Sequence, residues 1–205
     1  MGRHTAASCK QCRREGGKLF LKGERCYTEK CAFSRRSFAP GQHGKVPIRV
    51  SEYQIRLREK QKCRRVYGLG ERQFAGYFWE ASLQKGDTGA KLLEFLERRL
   101  DNVVYRLGFA TSRQGARQLV RHGGILVNQK KVNIPSFRVK AGDVVLVLPK
   151  REKNAKLALE KFPDRVTPGW LSLSGEVEGK VLNVPKREEI EANVAENLII
   201  EYYSR

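Results

Sequence analysis

The chain has 205 residues, 40% of them hydrophobic and 31% charged, with 41 Lys and Arg against 22 Asp and Glu for a net charge of +19. There is enough apolar side chain to build a core, which excludes wholesale disorder, and no run approaches the ~18 apolar residues of a membrane span. So large a positive excess repels itself in a compact chain and calls for an anionic partner; without a visible lipidation signal, nucleic acid is favoured over a membrane surface.

The charge is unevenly placed. Residues 1–65 carry 18 basic and 5 acidic side chains, residues 66–205 carry 23 and 17, and within the latter residues 166–205 carry 4 and 7. The front is therefore the expected anion-binding half, and the acidic tail is expected to pack on protein. The opening "MGRHTAASCKQCRREGG" contains no apolar stretch of the secretory kind. With an odd total of five cysteines, that argues against a disulfide framework and for a reducing cytoplasm.

Four of the cysteines form a cluster: Cys9-x2-Cys12, then thirteen residues, then Cys26-x4-Cys31. Two close pairs joined by a loop suit a tetrahedral four-thiolate site, and Lys10, Arg13, Arg14 and Arg25 offset its charge. One structural Zn2+ is the expected occupant, with a 4Fe-4S cluster as the alternative. A redox role needs a reactive pair between a strand and a helix, a context missing here. Cys63 stands apart in "EKQKCRRVYG", and with four cysteines in the cluster His43 has no vacancy to fill.

Residues 35–49, "RRSFAPGQHGKVPIR", read as an irregular loop whose Gly41 and Gly44 allow close approach to a phosphate, with Gln42 and His43 as hydrogen-bonding groups. A helix is predicted over 51–68, opened by Ser51 and Glu52 and stopped by Gly68. A second follows in "ERQFAGYFWEASLQKG", with Phe74, Tyr77, Phe78 and Ala81 at core spacing. "GLGERQ" superficially resembles a dinucleotide fingerprint, but Gln73 occupies its sixth position and no strand precedes it. Leu93, Leu96, Leu100, Val103 and Leu107 predict one helix over 90–108, ended by Gly108. Ser112 then caps a short helix with Ala116, Leu119 and Val120 on one face and Arg113, Arg117 and Arg121 on the opposite one. "ILVNQKKVNI" predicts two short strands around a polar turn, and "GDVVLVL" a third over 142–148. The closing "ENLIIEYYSR" predicts a final strand.

"RLDNVVYRLGFATSRQGARQLVRHGGILVNQKKVNIPSFRVKAGD" resembles the small RNA-binding module named after ribosomal protein S-four, and "LKGERC", "PGQHG", "LREKQK", "ERQF" and "IEYYSR" extend the resemblance to that ribosomal protein family over nearly the whole chain. The four-cysteine knot belongs to only some of its members. Two positions depart from the family pattern, Gln129 after Asn128 in the turn and Gly115 inside a helix. The resemblance implies an α+β architecture. A helical N-terminal domain over 1–97 carries the metal knot within 1–45, a module of two helices on a short β-sheet spans 98–160, and a C-terminal segment, 161–205, packs back on the N-terminal domain. It also implies a non-enzymatic binder of 16S ribosomal RNA that nucleates assembly of the small subunit. Contact with ribosomal protein S-five, a link to S-twelve in decoding accuracy and repression of its own operon mRNA come with it.

The residues expected at RNA are Arg3, Lys10, Arg13, Arg14, Lys22, Arg25, Arg35, Arg36, Gln42, His43, Lys45 and Arg49 at the front. Arg56, Arg58, Lys60, Lys62, Arg64 and Arg65 join them from the first long helix, and Arg113, Gln114, Arg117, Arg121, His122, Lys130 and Lys131 from the module. Two rival readings stand as alternatives, an RNA-modifying enzyme and a zinc-dependent nucleic-acid-binding regulator. An RNA-modifying enzyme with the same module needs a catalytic domain that the residues after it are too few to supply. A zinc-dependent DNA regulator needs a recognition helix at the metal, and "RREGGKLFLKG" has glycines where that helix would run.

Overall fold

The chain folds as two units, one formed by residues 1–91 together with 192–205, the other by residues 92–191. The computed structural model describes residues 7–46, 49–163, 165–191 and 193–204.

In the first unit, α1 (Ser8–Glu15) ends at Gly16 in the left-handed conformation, and a 3-10 turn (Gly23–Cys26) and α2 (Ala32–Arg35) follow. The helix α3 (Glu52–Val66) starts where predicted, the Ser51 side chain accepting from the Gln54 amide at 3.3 Å. In α4 (Glu71–Ser82) the predicted apolar set Phe74, Tyr77, Phe78 and Ala81 is buried. The predicted C-terminal strand is instead a helix, α9 (Glu196–Tyr203), which packs on α3. The reason is spacing: Ile199, Tyr202 and Tyr203 stand three and four apart, so a helix points all three to one side. Ile199 is buried there, and the Tyr203 ring stacks on Phe78 at 4.4 Å. Among the described residues of this unit no strand offers an edge for another strand to join.

The second unit corrects another expectation. The helix predicted over 90–108 is two helices, α5 (Thr88–Glu97) and α6 (Leu100–Arg106). At the break Arg99 is extended, and the amides of Leu100 and Asp101 donate to the carbonyls of Phe137 (2.8 Å) and Pro135 (3.2 Å). The polar groups at the joint explain the break where the apolar spacing does not. Glu97, fully buried, accepts from Asn102 Nδ2 at 2.7 Å and from Arg106 Nε and Nη2 at 3.0 Å. Arg99, also fully buried, grips Asp101 with two hydrogen bonds of 3.1 and 2.8 Å.

The helix α7 (Arg113–Arg121) is capped by Ser112, as predicted. The strands β1 (Ile125–Val127), β2 (Lys130–Lys131), β3 (Val144–Val147), β4 (Leu171–Leu173) and β5 (Glu178–Val181) form one antiparallel sheet in the order β2-β1-β3-β5-β4. The helix α8 (Pro149–Glu160) lies between β3 and β4 in the chain. Residues 161–191 thus extend the module's sheet, and only the chain from 192 onward joins the first unit. The core gathers Leu100, Val103, Val120, Ile125, Val145, Val147 and Trp170. Gly179 on β5 is required by packing, since a Cβ there would sit 2.5 Å from a Leu107 methyl. The β1–β2 turn places both Asn128 and Gln129 at positive φ, 49° and 65°, which is the type I′ pattern. Asn128 is held there by accepting from the Val144 amide at 2.9 Å and donating to Asp143 at 2.8 Å.

Candidate nucleic-acid interface

The basic residues divide into those the fold uses internally and those it leaves on the surface. Arg3 lies outside the described residues. On α3, charge is largely absorbed within the first unit. Lys60 is buried, bonds Glu71 at 2.5 Å and lies over the Tyr202 ring at 4.5 Å. Arg58 and Arg65 both pair with Glu15, whose side chain is buried. Arg56 bonds Glu52 and Glu201, Lys62 bonds Glu59, and Arg64 reaches Gln61, Glu71 and the Leu69 carbonyl. Lys60 is therefore a structural residue rather than an RNA contact, a correction set by its depth. Arg13 also works inward. Its guanidinium donates to the carbonyls of Phe38 (2.9 Å) and Ala39 (3.3 Å) and lies 5.0 Å from the Phe38 ring centre, tying α1 to the 35–49 loop. That loop turns tightly at Gly44, where a Cβ would lie 1.9 Å from the Ala39 carbonyl oxygen. Gln42, His43, Lys45 and Arg49 are exposed along it, as are Lys10, Arg14, Lys22, Arg25, Arg35 and Arg36 around the cysteines.

The predicted arginine row on α7 does not stand as a single exposed face. Arg117 is 7% exposed and bonds Asp101 at 2.9 Å. Arg113 donates to Asn102 at 2.8 Å and stacks on the Tyr105 ring at 4.5 Å, with Arg165 3.8 Å from the same ring. A four-residue step advances only about 40° past a full turn, so the row slants, and its middle member meets Asp101 as α6 packs on α7. Arg121, Gln114, His122, Lys130 and Lys131 are exposed and remain available. Arg151 and Lys161 join His122 and Gln118 around a groove between α7 and α8. Neither was expected at RNA from the sequence, although "LPKREKNAK" around Arg151 carries a basic signal.

Among the described residues, no group of three or more His, Cys, Asp or Glu side chains is arranged so that it could hold a metal ion. Cys9, Cys12, Cys26 and Cys31 are nevertheless neighbours. Burial pushes the Cys12 thiol up, and the other three cysteines push it further; burial raises Cys26 likewise, with Cys31 and Cys9 adding to it. Burial acts to raise Cys31 too, but hydrogen bonds from the Ser34 and Phe33 backbone and the Ser34 side chain together bring it down. The Lys22 amide donates to Cys26 Sγ at 3.4 Å. Four sulfurs that repel one another as thiolates, with amides aimed at three of them, form a donor set chemically suited to a thiophilic cation.

A basic helical unit and a module of helices on one antiparallel sheet define the class, a mixed α+β protein. Residues 3–97 match the family described as ribosomal protein S4/S9 N-terminal domain, and residues 98–145 match the S4 domain. Over the full length of both chains, the protein is 56% identical to small ribosomal subunit protein uS4 of Desulforamulus reducens. The uS4 proteins of Dictyoglomus thermophilum (56%) and Citrifermentans bemidjiense (57%) match it, again over both full chains. The chain belongs to the ribosomal protein S4 family.

Proposed function

We propose that this protein is a structural, non-enzymatic component of the small ribosomal subunit in the cytoplasm and binds its ribosomal RNA directly. The observation that carries this is the set of exposed cations around the cysteines and along the 35–49 loop, on a scaffold where the acids Glu15 and Glu71 are already engaged by Arg58, Arg65 and Lys60. Such cations are available for phosphates, and RNA is recognised largely through phosphates, 2′-hydroxyls and shape. Early binding to 16S RNA, nucleation of the subunit body, contact with S-five, a link to S-twelve in accuracy and self-repression through the operon mRNA belong to the same reading and rest on family membership. Binding of the full-length protein to small-subunit RNA, measured against salt, tests it. A steep loss of affinity with rising salt is expected. An affinity for this RNA no greater than for an unrelated RNA of equal length sinks it.

The four cysteines belong to the proposal as ligands of one structural zinc, with a 4Fe-4S cluster as the alternative. Cys9, Cys12, Cys26 and Cys31 would hold the ion as thiolates, and the ion would fix the surrounding basic loop. Native mass spectrometry of the purified protein should show one zinc or the mass of the cluster; a metal-free chain would refute this part alone.

A further inference from the structure

We infer that Phe20 and Tyr27 form a stacking platform for an unpaired base of the bound RNA; the inference rests on the RNA-binding reading above. The two rings lie in the loop between the cysteine pairs, with centroids 5.0 Å apart and planes inclined by 30°. They are 37% and 62% exposed, whereas the adjacent Leu19 and Leu21 are 6% and 9% exposed and pack with Cys12. The loop's small core is thus closed without the two rings. Phe20 has φ of 50°, in the left-handed region that a bulky non-glycine residue rarely occupies. Strain of this kind persists where surrounding structure enforces it and gathers at binding sites. Here it stands Phe20 against Tyr27, whose amide is fixed by a 3.0 Å bond to the Glu24 carbonyl.

The surroundings identify the occupant. Between residues 18 and 30 the exposed charges are Lys18, Lys22, Arg25 and Lys30 against Glu24 and Glu29. Paired rings flanked by an excess of cations fit a flat aromatic ligand attached to phosphates. Every base has a π face, so such a platform accepts an unpaired nucleotide of any sequence and adds affinity that salt does not screen.

The test uses the full-length protein and small-subunit ribosomal RNA, with affinity measured over a series of KCl concentrations. The double variant Phe20→Gly, Tyr27→Ser relieves the backbone strain and removes both rings. It should bind about tenfold more weakly or worse at every salt concentration, with the salt slope unchanged. The exchange variant Phe20→Tyr, Tyr27→Phe keeps two rings and should bind as the parent does. Ultraviolet crosslinking of the unmodified complex, followed by mass spectrometry, should place a nucleotide adduct on Phe20 or Tyr27 and needs no variant to fold. Parent-like affinity of the ring-less variant overturns the platform and leaves RNA binding standing. So do adducts found only elsewhere, or crosslinks from these rings to a neighbouring protein alone in assembled subunits. A parent protein that fails to select this RNA overturns the underlying reading instead.

Discussion

Replacing Asp101 with Asn is expected to be among the most damaging single changes in the second unit, although it alters one atom. The Asp101 carboxylate is the counter-charge for two buried guanidiniums, Arg99 at 2.8 and 3.1 Å and Arg117 at 2.9 Å. Arg99 is fully buried, so an amide at 101 withdraws the carboxylate that its guanidinium grips inside the core. Breaking a buried pair in this way costs about 3–5 kcal/mol. Arg117→Gln removes one partner and leaves Asp101 paired with Arg99, so the loss is that of a charge-assisted hydrogen bond, about 1.5–3 kcal/mol. Arg121→Gln, at an exposed position of the same helix, should stay within about 0.5 kcal/mol. With a urea slope of about 2 kcal/mol/M, the three midpoints should fall by about 2 M, 1 M and less than 0.3 M. Trp170 is buried in this unit, and Trp79→Phe, at an exposed site in the other, makes Trp170 the sole tryptophan reporter of its unfolding. Equal midpoints for Arg117→Gln and Arg121→Gln would show that the α7 arginines are equivalent surface charges, and the assignment of Arg117 to the core would fall.

Gly115→Ala should stabilise the second unit by up to about 1 kcal/mol, since a Cβ there meets only the Ser112 hydroxyl at 3.4 Å and the Ala110 methyl at 3.7 Å; a lower thermal midpoint would contradict this. Gln129→Gly should also stabilise, by less than about 1 kcal/mol, because it relieves a left-handed Gln while adding chain entropy to the unfolded state; thermal melts read it. Burial tends to raise the Glu71 carboxyl, but hydrogen bonds from Lys60 and Tyr203 and the charges of Lys60 and Arg64 hold it below its ordinary value. A depressed carboxylate adds stability above its unfolded pKa and loses it as pH falls through the lower folded value. Amide exchange in 196–203 should therefore accelerate as pH drops below about 4, beyond the intrinsic trend. Glu71→Gln should flatten that response, and an identical response in the variant would exclude Glu71 as its source.

What could be read in the sequence was local. Phe74, Tyr77, Phe78 and Ala81 announce a buried helical stripe, Ser51 and Ser112 announce helix starts, and Asn128 announces a turn, each within a few residues of its effect. What escaped depends on distant partners. The continuous leucine spacing through 93–107 hides the break at Arg99 because the amides there are drawn to Phe137 and Pro135 in another part of the chain. Ile199, Tyr202 and Tyr203 favour strands intrinsically, and it is the packing on α3 and α4 that decides for a helix. The same limit governs the basic surface. Arg65 is neutralised by Glu15, 50 residues away, and Lys60 by Glu71, 11 residues away. Counting charges shows that cations abound but not which ones remain for a partner.

The docking of α9 on α3 has a consequence for the order of events during synthesis. The first unit is interrupted: roughly 100 residues separate residue 91 from the segment that completes it. At bacterial-type elongation rates of about 5–20 residues per second, the early part of the chain waits roughly 5–20 s for that segment. Throughout this wait Phe78 lacks the Tyr203 ring and Glu71 lacks the Tyr203 hydroxyl. The intervening 92–191 unit is contiguous and can close on itself meanwhile. A chain truncated after residue 191 and released should accordingly show a protease-resistant second unit together with a cleavable α3. The most basic part of the protein, although translated first, is the last to be finished.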